Sequence, residues 1–356
     1  MPQILLNKKR VAPSKEKRET RKISVFPDPQ HLGMEVLSQA EKHWLAMDKF
    51  RRDRERNKRY CYGDQWKDLV CVDGRTMTEE QYLKEQGTVP LKNNLIRRLV
   101  RSVLGVWRSQ SKEPTCYARD RDEQKLGETM SGVLQYNMQL NRMDEMLGRA
   151  MEEFLISGLV VQRKYYGWKN DKLDCWTDAV PPNNFFIDSN MRDFRGWDCS
   201  IVGEIHDVSF PSLCARFAQD PKAVDSLREI YVGASDRTSL QTFLASTFGE
   251  SNYGNLSFYA PSDSSLCRVI EVWRKETKSR FRCHDVNNGD VYKIEIDDYA
   301  ELVEKINKAR LAQAAEAGMS KDEVSLIEAE WFVDEFWHYY YLSPFGDIIE
   351  AGETPY

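Results

Sequence analysis

The stretch Phe154-Leu-Ile-Ser-Gly-Leu-Val-Val-Gln-Arg-Lys-Tyr-Tyr-Gly167 decides the fold class, because the apolar period changes inside it. Upstream, from Met143 to Ser157, apolar residues recur every three or four positions and predict an amphipathic helix. Gly158 ends that pattern. Leu159 to Tyr166 then reads as a strand, with a turn over Gly167 to Asp171 and a return strand near Leu173 to Val180. A chain that passes from a run of helices to a run of hairpin-linked strands belongs to the α+β class.

Working back from this point, two further helices are predicted. Leu95, Ile96, Leu99, Val100, Val103, Leu104 and Trp107 form one broad stripe, with Arg97, Arg98 and Arg101 on the other side and Asn94 placed to cap. The helix from about Asp120 to Asn141 carries Leu126, Met130, Val133, Leu134 and Met138. With 143–157 these predict one packed helical group. Earlier still, Leu37, Ala40, Trp44, Met47 and Phe50 predict a single helix over Val36 to Tyr60, terminated at Tyr62-Gly63-Asp64-Gln65-Trp66.

Working forward, Pro181-Pro182-Asn183-Asn184 is a stiff turn into the strand Phe185 to Asp188, and Cys199 to His206 alternates as another strand. Ser209 and Pro211 predict a short helix to Ala218, and 233–265, rich in Ser, Thr, Gly and Asn, reads as loop or linker. A second α+β unit begins near Cys267. Its strands are Val269 to Arg274, Arg280 to Cys283, and Val291 to Ile294 after the turn Asn287 to Asp290. A helix capped by Asp297 or Asp298 and holding Leu302, Ile306, Ala309 and Ala312 follows, and Ala329 to Leu342 is a long aromatic strand.

The 356 residues carry nine Trp, sixteen Tyr and fifteen Phe, far more buriable surface than a disordered chain has. No apolar run approaches the roughly 20 residues of a membrane span, and the N-terminal charges follow the apolar patch, the reverse of a secretory signal. The expected site of folding is therefore a cytosol. Eight Cys without a CxxC pair read as small core residues. Residues 1–22 hold eight Lys/Arg against Glu16 and Glu19, a net of +6, and read as a mobile basic arm. Residues 49–59 are net +5 and read as the solvated face of a helix; with a total of -5, the rest of the chain is net -16. An acidic body is the opposite of what a tight DNA binder carries.

Searching for reactive groups yields little. There is no HExxH, GxSxG, GxxxxGK[ST] or GxGxxG, so the zinc protease, hydrolase, ATPase and dinucleotide classes lack their local signatures. The groups Asp171/Asp174/Asp178 and Asp188/Asp193/Asp198 read as turn and capping carboxylates in preference to metal ligands. His206-Asp207 offers a base with an orienter, or simply a hydrogen-bonded histidine at a strand edge. No catalytic, cofactor or metal residue is assigned, and no cofactor is expected. Trp273, Trp331, Trp337, Tyr339 and Tyr341 are candidates for subunit or partner contact.

In order along the chain stand Tyr60-Cys-Tyr-Gly-Asp-Gln-Trp66, Val89-Pro90-Leu91, Asn93-Asn94-Leu95-Ile96, Val103-Leu104-Gly105-Val106-Trp107, Lys112-Glu-Pro-Thr-Cys-Tyr-Ala-Arg-Asp120, Ser157-Gly158, Pro182-Asn-Asn-Phe-Phe-Ile-Asp188 and Val269-Ile-Glu-Val-Trp-Arg-Lys-Glu276. This order resembles the portal proteins of tailed bacteriophages, particularly those of short-tailed phages. The resemblance implies a mobile arm at 1–35, a wing-like region of helices and strands at 36–208, a stem-like or linker segment at 209–265, and a clip-like α+β module at 266–345. It also implies that such chains continue beyond this point, so 346–356 is expected to open a continuation absent from a truncated chain, an incomplete reading frame or a split gene. The implied role is a homo-oligomeric ring, twelve-fold in this family, at one capsid vertex, built without covalent chemistry. Implied partners are the terminase large subunit, the head-to-tail adaptor, the major capsid and scaffolding proteins, and weakly held double-stranded DNA, with no membrane; assembly is in the bacterial cytoplasm and residence in the virion. The resemblance also implies that the acidic 295–335 segment, net -8, complements basic partner surfaces and that the arm, through Lys8, Lys9 and Arg10, contacts DNA or capsid. Two other classes remain open from the residues alone: a nucleic-acid-binding regulator using the basic segments, and a metal-dependent nuclease using the Asp groups.

Overall fold

The computed structural model describes residues 29–110, 113–169, 171–193, 195–231, 256–261, 263, 265–316 and 324–354. The arm residues Lys8, Lys9 and Arg10 and most of 233–265 lie outside these. The class is mixed α+β, as the change of period predicts.

A six-stranded antiparallel sheet forms the centre. Its strands are β5 (Phe185–Ile187), β6 (Ile201–Ser209), β7 (Leu266–Asp285), β8 (Asp290–Glu295), β9 (Ile327–Leu342) and β10 (Ile348–Glu353). They run in the order β10-β9-β7-β6-β5, with β8 added to the far end of β7. Alternation sends successive side chains to opposite faces, so the two faces of β7 and β9 bury different partners. On one face Ile270, Val272, Tyr340 and Leu342 meet Val36, Leu37, Ala40 and Trp44 of helix α1 (Pro29–Ala46), together with Phe186 and with Phe258 of the short helix α9 (Leu256–Tyr259). On the other, Val269, Tyr339 and Tyr341 meet Leu213 of helix α7 (Phe210–Phe217) and Leu227 of helix α8 (Pro221–Tyr231). Ser209 caps α7 by accepting from the Ser212 N–H, and Pro211 occupies its first turn.

Two strands expected over 269–274 and 280–283 are one strand of 20 residues. The polar run Lys275 to Lys278 hides it from a periodicity test, yet its backbone pairs throughout with β9, from Ile270 opposite Leu342 to Asp285 opposite Ile327. Beyond the central core the same two strands, with β8, carry a third small core of Cys283, Ile294, Val303 and Ile327. Val303 comes from a π-turn at Ala300–Glu304 that leads into helix α10 (Lys305–Glu316). No Asp side chain caps that entry; the Asp298 carbonyl accepts from the Leu302 N–H instead. Segment 266–345 thus shares its sheet with 185–209.

A second body holds helices α2 (Asp48–Tyr62), α4 (Leu95–Ser109), α5 (Gln124–Leu140) and α6 (Met143–Ser157) and the hairpin β3 (Val161–Lys169) with β4 (Lys172–Val180). The single helix expected over 36–60 is interrupted at Met47 (φ -90°, ψ 5°), so α1 lies on the sheet while α2 enters the helical body. Gly63, in the left-handed conformation, ends α2. The segment between α2 and α4 holds a small hairpin, β1 (Leu69–Val72) with β2 (Arg75–Thr78), and helix α3 (Glu79–Glu85) with a Thr78/Gln81 capping box.

Gly203 marks the tightest point of the central sheet. A Cβ there would run into the Phe186 ring and the Glu271 carbonyl oxygen. Gly203→Ala is therefore expected to lower stability by about 3 kcal/mol, measured as a shift in the denaturant midpoint at unchanged slope.

Candidate functional site

Helix α4 begins where the sequence places it: the Asn94 side chain accepts from the Arg97 N–H and donates through Nδ2 to the Cys61 carbonyl. Its apolar stripe, however, is not core. Leu104 is buried, while Leu99 is 68% exposed, Val106 60% and Leu95 60%, with Ile96 and Val103 exposed as well. Helix α5 repeats the pattern, since Leu126, Met130, Val133 and Leu134 are all exposed. The packed helical group expected from the sequence is only half made. An open apolar groove of about 390 Å³, lined by Ser102, Val103, Val106, Trp107, Gln110 and Met151, runs along α4. Each buried apolar Å² contributes about 25 cal/mol, so a surface of this kind gains from any partner that covers it.

What holds this body together is largely polar. Arg54 of α2, buried, binds Glu153 of α6 through two hydrogen bonds of 2.5 and 2.9 Å, and Asn57 donates to the Ile156 carbonyl. Tyr60 and Arg59 both bond Asp68, Arg97 lies over the Tyr62 ring, and Trp66 donates to the Leu91 carbonyl. The aromatic element 60–66 is thus a helix stop with its rings braced against neighbours.

Of the five aromatic contact candidates, Trp331 is 56% exposed and stands beside exposed Val333 on β9. Tyr339 and Tyr341 are buried in the chain's own core, where Trp273 packs against Tyr339 at 5.6 Å and donates to Glu271. Trp337 is half-buried, with the Lys275 ammonium over its ring.

The carboxylate groups have local employment. Asp178 binds Lys169 and Tyr165, and Asp174 pairs with Lys172. Asp198 accepts from the Arg192 and Asp193 N–H groups, and Asp188 accepts from Ser200 and Asn190. Asp188 and Asp198 are turn carboxylates as expected, whereas Asp174 and Asp178 lie within strand β4 and form side-chain pairs there. His206 and Asp207 do not form a dyad. Asp207 pairs with Arg268, while His206 lies on an inner strand and bonds Glu271 of β7 at 2.7 Å.

Glu271 is the functional-looking residue that the motif search misses. It is 1% exposed and directly opposite Glu204 of β6. Two carboxylates facing each other across a sheet repel. Arg163 of β3 lies 2.6 Å from Glu271 and 2.9 Å from Glu204 and offsets the repulsion between them. Glu204, His206 and Glu271 present their ligand atoms within 4.8 Å of one another, the grouping among the described residues that has a metal-binding arrangement. The Arg163 guanidinium lies against the two carboxylates of this grouping. Burial would raise the Glu271 carboxyl, but the His206 hydrogen bond, the Arg163 charge and the Trp273 N–H pull it down to about 2. Burial pushes the Glu204 carboxyl up.

A carboxylate depressed from 4.5 to about 2 supplies stability that is fully present above pH 4.5 and lost as pH falls through about 2. That shift corresponds to about 3 kcal/mol. Acid titration of stability should therefore be steeper between these limits in the wild type than in Glu271→Gln; equal slopes would show that the cluster contributes nothing.

Compared with known proteins, residues 37–356 match the family model described as Phage P22-like portal protein. No curated protein matches the chain. Among the described residues no helix is long and apolar enough to cross a membrane.

Proposed function

The chain belongs to the P22-like phage portal protein family, and on that premise we propose that it is the repeating subunit of a ring at one capsid vertex. Through this ring the genome is packaged and later ejected. The observation that carries the reading is the unpartnered apolar stripe of α4 and α5. A ring of copies covers such a surface by repeating one contact around a closed axis, a heterologous interface that ends on itself. Twelve copies is the number that the family resemblance favours.

Within this reading the acidic body lets a polyanion slide, because each phosphate held by a basic side chain adds to affinity and slows passage. The distal end of β7 and β9 serves as the docking end for the terminase large subunit and then the head-to-tail adaptor. Supporting this are the exposed Trp331 and Val333 and the acidic composition of 295–335. The major capsid and scaffolding proteins meet the outer, helical body. The ring performs no covalent chemistry, in keeping with the internal pairing of the Asp groups and His206.

Native mass and negative-stain images of the purified chain test this reading. Rings of about a dozen copies are expected, with Leu99→Asp reducing them to monomers while leaving monomer stability within about 0.5 kcal/mol, as for an exposed position. Trp331→Ala is expected to keep the ring and weaken adaptor capture. A wild-type monomer that binds or cuts DNA, the latter with Mg²⁺, would replace the ring reading with the regulator or the nuclease.

A further inference from the structure

Two bodies of this chain meet across a thin boundary. The central sheet with α1, α7 and α8 contains the hydrophobic clusters over its two faces, and none of the three clusters includes a residue of α2, α4, α5, α6, β3 or β4. The helical body is connected to the sheet by chain at two places, the α1–α2 break at Met47 and the turn Pro181 to Asn184, where Asn183 and Glu55 are 3.4 Å apart. The β3–β4 hairpin is bolted firmly to the helical side. Asn137 and Asn141 of the α5 end both donate to the Cys175 carbonyl, and the Thr177 N–H donates to the Asn141 side chain at 2.9 Å. Toward the sheet, the same hairpin extends Arg163 into the Glu204/Glu271 pair.

We infer that Arg163 is a pin: its guanidinium is the built-in cation of a Glu204–His206–Glu271 cage, and by filling it fixes the angle between the helical body and the central sheet. Three features carry this. The two acids are opposite each other by strand register, so the cage exists whether or not Arg163 arrives, and it demands a positive charge. The guanidinium that touches both acids comes from the other body, while the sheet side offers Glu204 only the longer-range charge of Arg216 on α7. The arrangement is also one that a mobile cation can fill, since an oxygen of each carboxylate and one His206 ring nitrogen lie within 4.8 Å of one another, a ligand set that suits a first-row divalent ion. A guanidinium bound through an arm can withdraw as a unit, and the strands beneath it keep their backbone pairing when it does. The inference does not depend on the ring: it concerns how two parts of one chain are held.

The test has two arms, both on the full chain. In the first, amide hydrogen exchange compares Arg163→Met/Glu271→Gln with Glu271→Gln alone, so that no uncompensated acid pair is left in the sheet. Exchange over 161–180 is expected to accelerate at least tenfold while 201–209 and 266–274 stay within about threefold. No change over 161–180, or equal acceleration in hairpin and sheet, would overturn the pin. In the second, Co²⁺ is titrated into wild type, Arg163→Ala and Arg163→Ala/His206→Ala. The single variant is expected to develop visible ligand-field bands and to bind Co²⁺ at least tenfold more tightly than the other two. Wild type binding as tightly as Arg163→Ala would show that the guanidinium does not occupy the cation position.

Discussion

The pairing of Glu204 with Glu271 across adjacent inner strands is the constraint on which the arrangement of this molecule depends. Antiparallel register leaves no freedom here: once Ile205 is opposite Ile270 and Gly203 opposite Val272, as the core face requires, the intervening residues of β6 and β7 must face each other on the opposite side. A buried acid pair is tolerated only with a counter-charge and filled hydrogen bonds. The sheet supplies His206 and the Trp273 N–H, and the remaining charge is brought by Arg163. The hairpin's position is thus set by an electrostatic demand created in the core. Breaking one side of such a pair costs about 3–5 kcal/mol, more than most single apolar contacts in the helical body supply.

The second organising feature is the length of β7 and β9. Two strands paired over sixteen consecutive positions act as one twisted ribbon, buried on both faces at one end and covered on one face at the other by Tyr299 and the π-turn residue Val303. The uncovered face of the distal part is a lattice of ions: Lys278 with Glu295, Arg280 with Asp334 and Glu353, and Lys293 with Asp334. Phe332 and Phe336 lie beneath Arg282, Lys293 and Arg280. Single surface pairs contribute little, but here they are connected through the buried Asp334 and an aromatic floor, which gives this sheet face a fixed shape without making it sticky. The distal end is consequently stiff and continuous with the core, whereas the helical body is joined through short connections.

How much of this was legible in the sequence follows from the range of each interaction. The caps at Asn94, Gly63, Gly158 and Ser209 are local, and each was readable from a few neighbouring residues. The continuity of β7 through Lys275 to Lys278 was not, because it rests on pairing with residues some sixty positions away. The β1–β2 hairpin has the Asp73-Gly74 turn signal, with both residues at positive φ, but its strands are too short and polar to show a period. For α4, periodicity told which face is apolar and could not tell whether this chain covers it. Glu271 had a visible signal, an acid inside the apolar run Val269 to Trp273, but its partners come from strands far apart in sequence.

The incomplete packing of the helical body and the pin that holds it belong to one physical situation. A group of helices whose apolar stripes remain exposed cannot bury enough surface to fix its own orientation, because that term scales with area removed from water. Its orientation to the sheet then rests on short links, Arg51 of α2 over the Trp44 ring beside the α1–α2 break and Arg163 on the Glu204/Glu271 pair. When the exposed stripes are covered by another molecule, the covered area adds a term that depends on the angle of the helical body, and this term acts against or with the pin. The surface that meets a partner and the joint that sets its angle are therefore coupled by construction: a partner that fits the pinned angle binds a preorganised surface, and one that requires another angle must first offset the transfer of Arg163 out of its cage.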